Sequence, residues 1–384
     1  MGILMTQVIS QVAATTRSWA VRMADTVLAR YPIARARWHY EHGLVVNAIA
    51  ETGLATGDPR YERYVQAWVD HFIMQDGHIR TYRIEEFNLD QINPGKLLFP
   101  LYRSSGNERY LRAIKLLFEQ LKSQPRTLSG GFWHKQIYPY QMWLDGIYMA
   151  GPFYAECARI FDLPDGFTDL SQQIILIEQH TRDPRTGLLY HAWDESRQQR
   201  WANPQTGCSP HFWGRGVGWF IMALVDVLDI LPQEHPNYYV LVDILKRLAD
   251  ALVRVQDQGT GMWYQVLDLP ERAGNYRESS VTAMLVYAFA KGVRKGYLSP
   301  EFVSPARRAY RGLLENQIKI DAQGLLTLEG TCGVAGLGGR PYRDGSFEYY
   351  VIEKTVSNDF KGVGPFILAA LEMDAAGAGS PTLE

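Results

Sequence analysis

A chain of 384 residues is long enough to bury a large core, and its 39 Lys and Arg nearly cancel its 41 Asp and Glu, leaving a formal charge of −2 without long runs of either sign. That balance excludes nucleic acid or an anionic membrane as the main partner, because both need a concentrated basic footprint. Cys157, Cys208 and Cys332 are widely spaced and show no CxxC pairing, so neither a disulfide framework nor a zinc site is expected, and reduced thiols in the cytoplasm are.

From the start, apolar residues over Thr6–Ala29 recur at helical spacing, and Arg17, Arg22, Asp25 and Arg30 interrupt any signal-peptide core. No segment has the apolar length needed to span a bilayer. The same periodicity predicts helices over Tyr40–Thr56, Arg60–Ile73, Asp90–Ser105, Glu108–Leu121, Trp143–Phe161 and Thr168–His180. It continues through Arg215–Ile230, Pro236–Gln256, Glu278–Gly296, Ser304–Ile318 and Phe360–Asp374, while strand-like alternation is scarce.

A two-helix unit repeats along this pattern: an apolar helix rich in small residues, a turn, then a charged amphipathic helix. HGLVVNAIAETGLATGDPRYERYVQAWVDHFI and NPGKLLFPLYRSSGNERYLRAIKLLFEQL are two copies, and Gly43, Pro94 and Asp145 open successive first helices at intervals of 51 residues. Later units start near Gly216, Ser279 and Gly362 and are less regular. Repeats that each leave an apolar face uncovered must stack or close on themselves. First helices apolar nearly all round suit an inner ring, and charged second helices suit an outer one. The apolar final helix FKGVGPFILAALEM has no polar capping repeat after it, which favours closure over an open solenoid. The expected fold is therefore all-α, a single (α/α)6 barrel over residues 1–384.

In such a ring the loops entering the inner helices share one end. WHYEHG, FNLDQINPGK, QMWLDG, PHFWGRGVGW, YRESS and SNDFKGVGP hold most of the chain's unusual aromatic, glycine and acidic residues, so function belongs in that mouth. Aromatics make up 12% of the chain, which suits stacking on sugar faces as well as ordinary packing. Asp145, between Trp143 and Gly146, reads either as a helix N-cap or as an acid set among aromatics, a setting that keeps a carboxyl protonated. Asp90 occupies the matching place one repeat earlier, as a cap or as a second mouth carboxylate near the first. Arg215, flanked by Gly214 and Gly216, has backbone freedom and suits two-pronged binding of a carboxylate; a salt bridge to a neighbouring acid is the alternative. GRGVG lacks the spacing and the strand of a dinucleotide motif. His39 and His42 have no third partner for a metal, while His134 and His191 follow aromatics and suit hydrogen bonds to sugar hydroxyls. The residues by themselves lead to a helical ring that processes or binds a polyhydroxylated, anionic small molecule.

The motifs WHKQIYPYQMWLDGIYM, PHFWGRGVGW and NDFKGVGPF resemble glycoside hydrolase family 105, the unsaturated rhamnogalacturonyl hydrolases, with the unsaturated glucuronyl hydrolases as more distant relatives. The resemblance runs from WHYEHG to NDFKGVGPF and implies an (α/α)6 barrel. It implies Asp145 as catalytic acid and Asp90 as second mouth aspartate, with Tyr40, His134, Trp143, His191, Trp213 and Arg215 contacting substrate. It also implies removal of a Δ4,5-unsaturated uronic acid from pectin oligosaccharides made by a lyase, with no cofactor or metal and a small oligosaccharide as partner. An unsaturated glucuronyl hydrolase, a toroidal lyase or epimerase, and a sugar-binding toroid without activity stay open as alternatives.

Overall fold

A computed structural model describes residues 18–377. Six inner helices form a closed ring: α2 (Tyr40–Thr56), α4 (Leu98–Ser105), α6 (Leu144–Ile160), α8 (Gly214–Leu228), α10 (Ser279–Arg294) and α13 (Phe360–Ala375). Each packs on the next, α4 through the 3₁₀ turn Asn93–Leu97 before it, and α13 returns to α2. The outer ring is α1 (Trp19–Arg30), α3 (Pro59–Phe72), α5 (Glu108–Ser123), α7 (Pro164–Thr181), α9 (Tyr238–Arg254) and α11 (Val303–Gln317). The fold is the expected (α/α)6 barrel.

Burial separates the rings. Every residue from Gly214 to Val225 of α8 and from Ser279 to Gly292 of α10 is buried, as a helix covered on all sides requires. In α9 the buried positions, among them Leu241, Ile244, Leu245, Leu248, Ala251 and Leu252, recur at three and four, a single inward stripe. The repeat turns also have a physical origin. Gly57 and Gly106 end α2 and α4 at φ 69° and 63°, and the Asp58 and Asn107 side chains then accept the Arg60 and Arg109 amides to start α3 and α5.

The structure departs from the expected elements at the Asp90 segment and adds short ladders. Among the described residues α13 packs against α1, so the first and last described helices together form the sixth pair. The part of the first expected helix before residue 18 lies outside the described residues. The segment expected as helix from Asp90 is instead two 3₁₀ turns, Leu89–Gln91 and Asn93–Leu97, because Pro94 cannot donate a backbone hydrogen bond. Short ladders line the mouth as well. β1 (Gln141–Trp143) pairs antiparallel with β2 (Ala192–Asp194), β3 (Ile318–Ile320) with β4 (Leu326–Leu328), and β5 (Thr331–Cys332) with β6 (Thr355–Val356). A six-residue helix, α12 (Phe347–Ile352), lies between β5 and β6.

Among the described residues no helix is long and apolar enough to cross a membrane. All three cysteines are buried free thiols.

Candidate active site

Asp145 lies in the first turn of α6, one residue after the helix begins, and its side chain caps nothing. The carboxylate instead meets His191, whose Nε2 is 3.0 Å from Asp145 Oδ2. The β1–β2 ladder sets this encounter. Trp143 pairs with Ala192, and the Leu144 amide donates to the His191 carbonyl at 3.0 Å, so the residues on either side of the register meet above the strand ends. On its other edge, His191 Nδ1 lies 2.8 Å from the Tyr350 hydroxyl. His191 is fully buried, while the Asp145 side chain keeps 13% of its exposure.

Asp90 is likewise no cap: Asn88 caps its turn and accepts the Asp90 amide. Asp90 Oδ2 is 2.5 Å from Lys135 Nζ, and Oδ1 is 3.5 Å from His134 Nε2. Burial alone would push this carboxyl up, but Lys135 first, then His134 and His39, outweigh it and hold it below the usual aspartate value. Lys135 responds in the opposite sense: burial would lower its ammonium, and Asp90 raises it above the ordinary lysine value. His134, stacked on Trp143 with ring centres 4.8 Å apart, is pushed down to about 4, chiefly by burial.

Tyr40, at the start of α2, sits in the fields of Asp90, Arg215 and Asp145, and its phenol is held well above the ordinary tyrosine value, mainly by burial. The structure thus gathers all eight expected site residues at one end of the ring. It assigns three of them surroundings that differ from expectation.

Arg215 is 1% exposed. Its Nη1 donates to the Cys332 carbonyl and lies 4.0 Å from Glu278 Oε1, so the salt-bridge alternative is the one realised and that edge of the fork is occupied. Its flanking glycines do not loosen the backbone either, since both belong to regular helix α8. They allow close approach: a Cβ at Gly216 would meet His191 Cδ2 at 3.1 Å, and one at Gly214 the Tyr264 carbonyl at 2.8 Å. Trp213 and Trp143, expected to contact substrate, are 1% and 5% exposed. Trp213 stacks on Tyr350 with Arg215 against its ring, and Trp143 stacks on His134 and Tyr138.

Lys135 and Tyr350 escaped the sequence reading. Lys135 had a signal, a lone ammonium beside His134 in a loop otherwise aromatic and amide-rich. Tyr350 had none. It reaches the site only because α12 folds over the mouth, where Gln265 accepts from Trp213 Nε1 at 3.2 Å and donates to the Tyr350 carbonyl at 3.0 Å.

A ring of helices with an acid and a histidine at its mouth accommodates several chemistries, and comparison with known proteins narrows them. Residues 16–376 match the sequence profile of Glycosyl Hydrolase Family 88. The chain belongs to the family 88/105 glycoside hydrolases. A solved glycoside hydrolase of family 105 from C. acetobutylicum ATCC 824 is 44% identical, with a TM-score of 0.91 over 94% of this chain and 100% of that one. Protein Atu3128 of Agrobacterium fabrum is 43% identical over 230 residues, 58% of this chain and 97% of its own. The unsaturated rhamnogalacturonyl hydrolase YesR of Bacillus subtilis is 27% identical over 289 residues, 74% of this chain and 78% of its own. This family 88/105 hydrolase is accordingly a glycosidase. Among its described residues, no group of three or more His, Cys, Asp or Glu side chains is placed to hold a metal ion.

Proposed function

We propose that the enzyme removes a Δ4,5-unsaturated uronic acid, galacturonate linked to rhamnose, from the non-reducing end of pectin fragments made by a lyase. The observation that carries the proposal is the Asp145–His191 pair, a partly open carboxyl whose one oxygen is engaged by a buried imidazole among Trp143 and Trp213. The likeness to YesR supports the rhamnogalacturonyl substrate.

The substrate's C4=C5 bond is conjugated to its carboxylate and joined to the ring oxygen as an enol ether. Asp145 gives its proton to C4, the double-bond electrons form the new C–H bond, and positive charge falls on C5, shared with the ring oxygen. Water adds at C5 and returns a proton to the Asp145 carboxylate, so one residue serves as acid and then as base. The hemiketal opens by breaking the bond from C5 to the ring oxygen, and the anomeric carbon then releases the neighbouring sugar. The anomeric carbon is never attacked directly, so the carboxylate spacing rules of ordinary glycosidases do not apply.

Asp90 and Tyr40 serve as contacts for sugar hydroxyls in this scheme. Lys135, whose side chain is 21% exposed, is better placed than Arg215 to face the uronate charge. Trp143, Trp213 and Arg215 form the dry wall behind His191, and His134 supports Asp90.

The test is a panel of lyase-generated unsaturated disaccharides followed by enoate ultraviolet absorbance. Loss of absorbance with release of the second sugar is expected, fastest on the rhamnose-linked galacturonate. A rise would identify a lyase, faster turnover of glucuronyl substrates would move the specificity, and binding without turnover would leave a sugar-binding ring.

A further inference from the structure

We propose that Tyr350 is a positioning residue for the reaction, acting on Asp145 by fixing which ring nitrogen of His191 carries the proton. The proposal rests on the reading of Asp145 as the acid.

Tyr350 is fully buried, and a buried hydroxyl that fails to donate is costly. Among the described residues its hydroxyl meets His191 Nδ1, a nitrogen that can accept, at 2.8 Å. Donation from the phenol makes Nδ1 the lone-pair nitrogen, and a neutral imidazole then carries its hydrogen on Nε2. That hydrogen points at Asp145 Oδ2, 3.0 Å away. Burial holds the Tyr350 phenol well above its ordinary value, so it stays a donor at neutral pH.

The surroundings keep the ring in this orientation. Trp143 lies edge-on at 5.3 Å, Trp213 is tilted against it at 4.5 Å, and on the face toward α8 a Cβ at Gly216 would meet His191 Cδ2 at 3.1 Å, a tight contact. Turning the imidazole over would put carbon atoms where Tyr350 and Asp145 find nitrogens.

The chemistry follows from the tautomer. With Nε2–H donating to Oδ2, the proton of neutral Asp145 resides on Oδ1, the oxygen free of His191. It leaves from there to C4, its bonding electrons stay on the carboxylate, and Nε2–H then stabilises the charge that has formed. In the other tautomer Nε2 is an acceptor, and the carboxyl proton is drawn onto Oδ2 toward the imidazole. A histidine held in the wrong tautomer costs serine proteases most of their rate, which shows the scale such control can reach.

Nitrogen-15 spectra of the histidine-labelled free enzyme, with the His191 signals assigned by loss in His191→Gln, report the tautomer without reference to catalysis. A lone-pair Nδ1 and protonated Nε2 are expected in wild type, with a redistribution in Tyr350→Phe. Kinetically, Tyr350→Phe should lower kcat by about ten- to a hundredfold and leave KM within about twofold. In the His191→Gln background, where the amide donates to Asp145 but cannot change tautomer, Tyr350→Phe should cost nothing further. A protonated Nδ1 in wild type, an unchanged kcat in Tyr350→Phe, or the same kcat loss in both backgrounds would overturn the proposal. Full turnover by Asp145→Asn would instead remove the acid assignment and leave the spectroscopic result standing.

Discussion

Lys135 Nζ lies 2.5 Å from Asp90 Oδ2, so the second aspartate of the mouth is half of an ion pair and not a bare like charge beside Asp145. Asp145 acts on Lys135 as well, which places all three groups in one electrostatic unit. With Asp145 as the proposed acid, Lys135→Gln leaves the Asp90 charge unopposed, disfavours loss of the Asp145 proton, and should move the alkaline limb of the pH–rate profile up by about half a pH unit or more. Asp90→Asn leaves the ammonium unopposed and should move it down. Profiles of both variants on one disaccharide check the signs, and a limb that stays put in both would confine Asp90 and Lys135 to substrate contact.

Asp145→Asn should fold as wild type and lose at least about a thousandfold in turnover, the scale of a general acid with its positioning. The side chain caps no helix, so the amide costs α6 nothing. Matching melting curves together with single-turnover rates separate a lost proton from a lost fold.

Arg215→Ala should act on stability more than the open-fork reading would give. Glu278 is fully buried, and removing the guanidinium leaves it with Ser280 and the Val281 and Cys332 amides but with no cation paired to it among the described residues. Breaking a buried pair from one side costs about 3–5 kcal/mol. Arg215→Lys should recover only part, since a point charge cannot reach Cys332 and Glu278 as the planar group does. Urea titrations of both variants measure the loss; a wild-type midpoint in Arg215→Ala would return Arg215 to the substrate.

Stability should decline in mild acid. His134 has an ordinary value of 6.5 and is pushed down to about 4 in the folded protein. Above pH 6.5 it is neutral in both states and contributes no pH dependence. Between 6.5 and about 4 the unfolded chain takes up a proton that the native state refuses, so stability falls as pH falls, by roughly 3 kcal/mol across the interval. His42, also lowered to about 4, adds in the same direction. Urea midpoints of wild type and His134→Gln at pH 7, 6 and 5 test this, with a shallower decline expected in the variant whatever its absolute stability.

Much of the barrel was legible because its causes are local. Apolar helices with small residues, Gly57 and Gly106 at their ends, and Asp58 and Asn107 as caps act over a few residues, so α2 through α5 announce themselves as a repeat. The inner starts near Gly216, Ser279 and Gly362 were readable for the same reason, as runs buried on all faces.

What the sequence by itself determined was the ring, and which end of it gathers the aromatic, glycine and acidic loops, since helical periodicity and loop composition are properties of neighbouring residues. Tertiary structure decided the rest. Only the β1–β2 register brings His191 to Asp145, and only the fold of α12 over the mouth brings Tyr350 to His191. Only packing buries Arg215 against Glu278 and pairs Asp90 with Lys135 across 45 positions of chain. Hydrogen bonds and ion pairs of this kind depend on distances of about 3 Å between residues far apart in the chain, and no pattern of adjacent residues encodes such a distance.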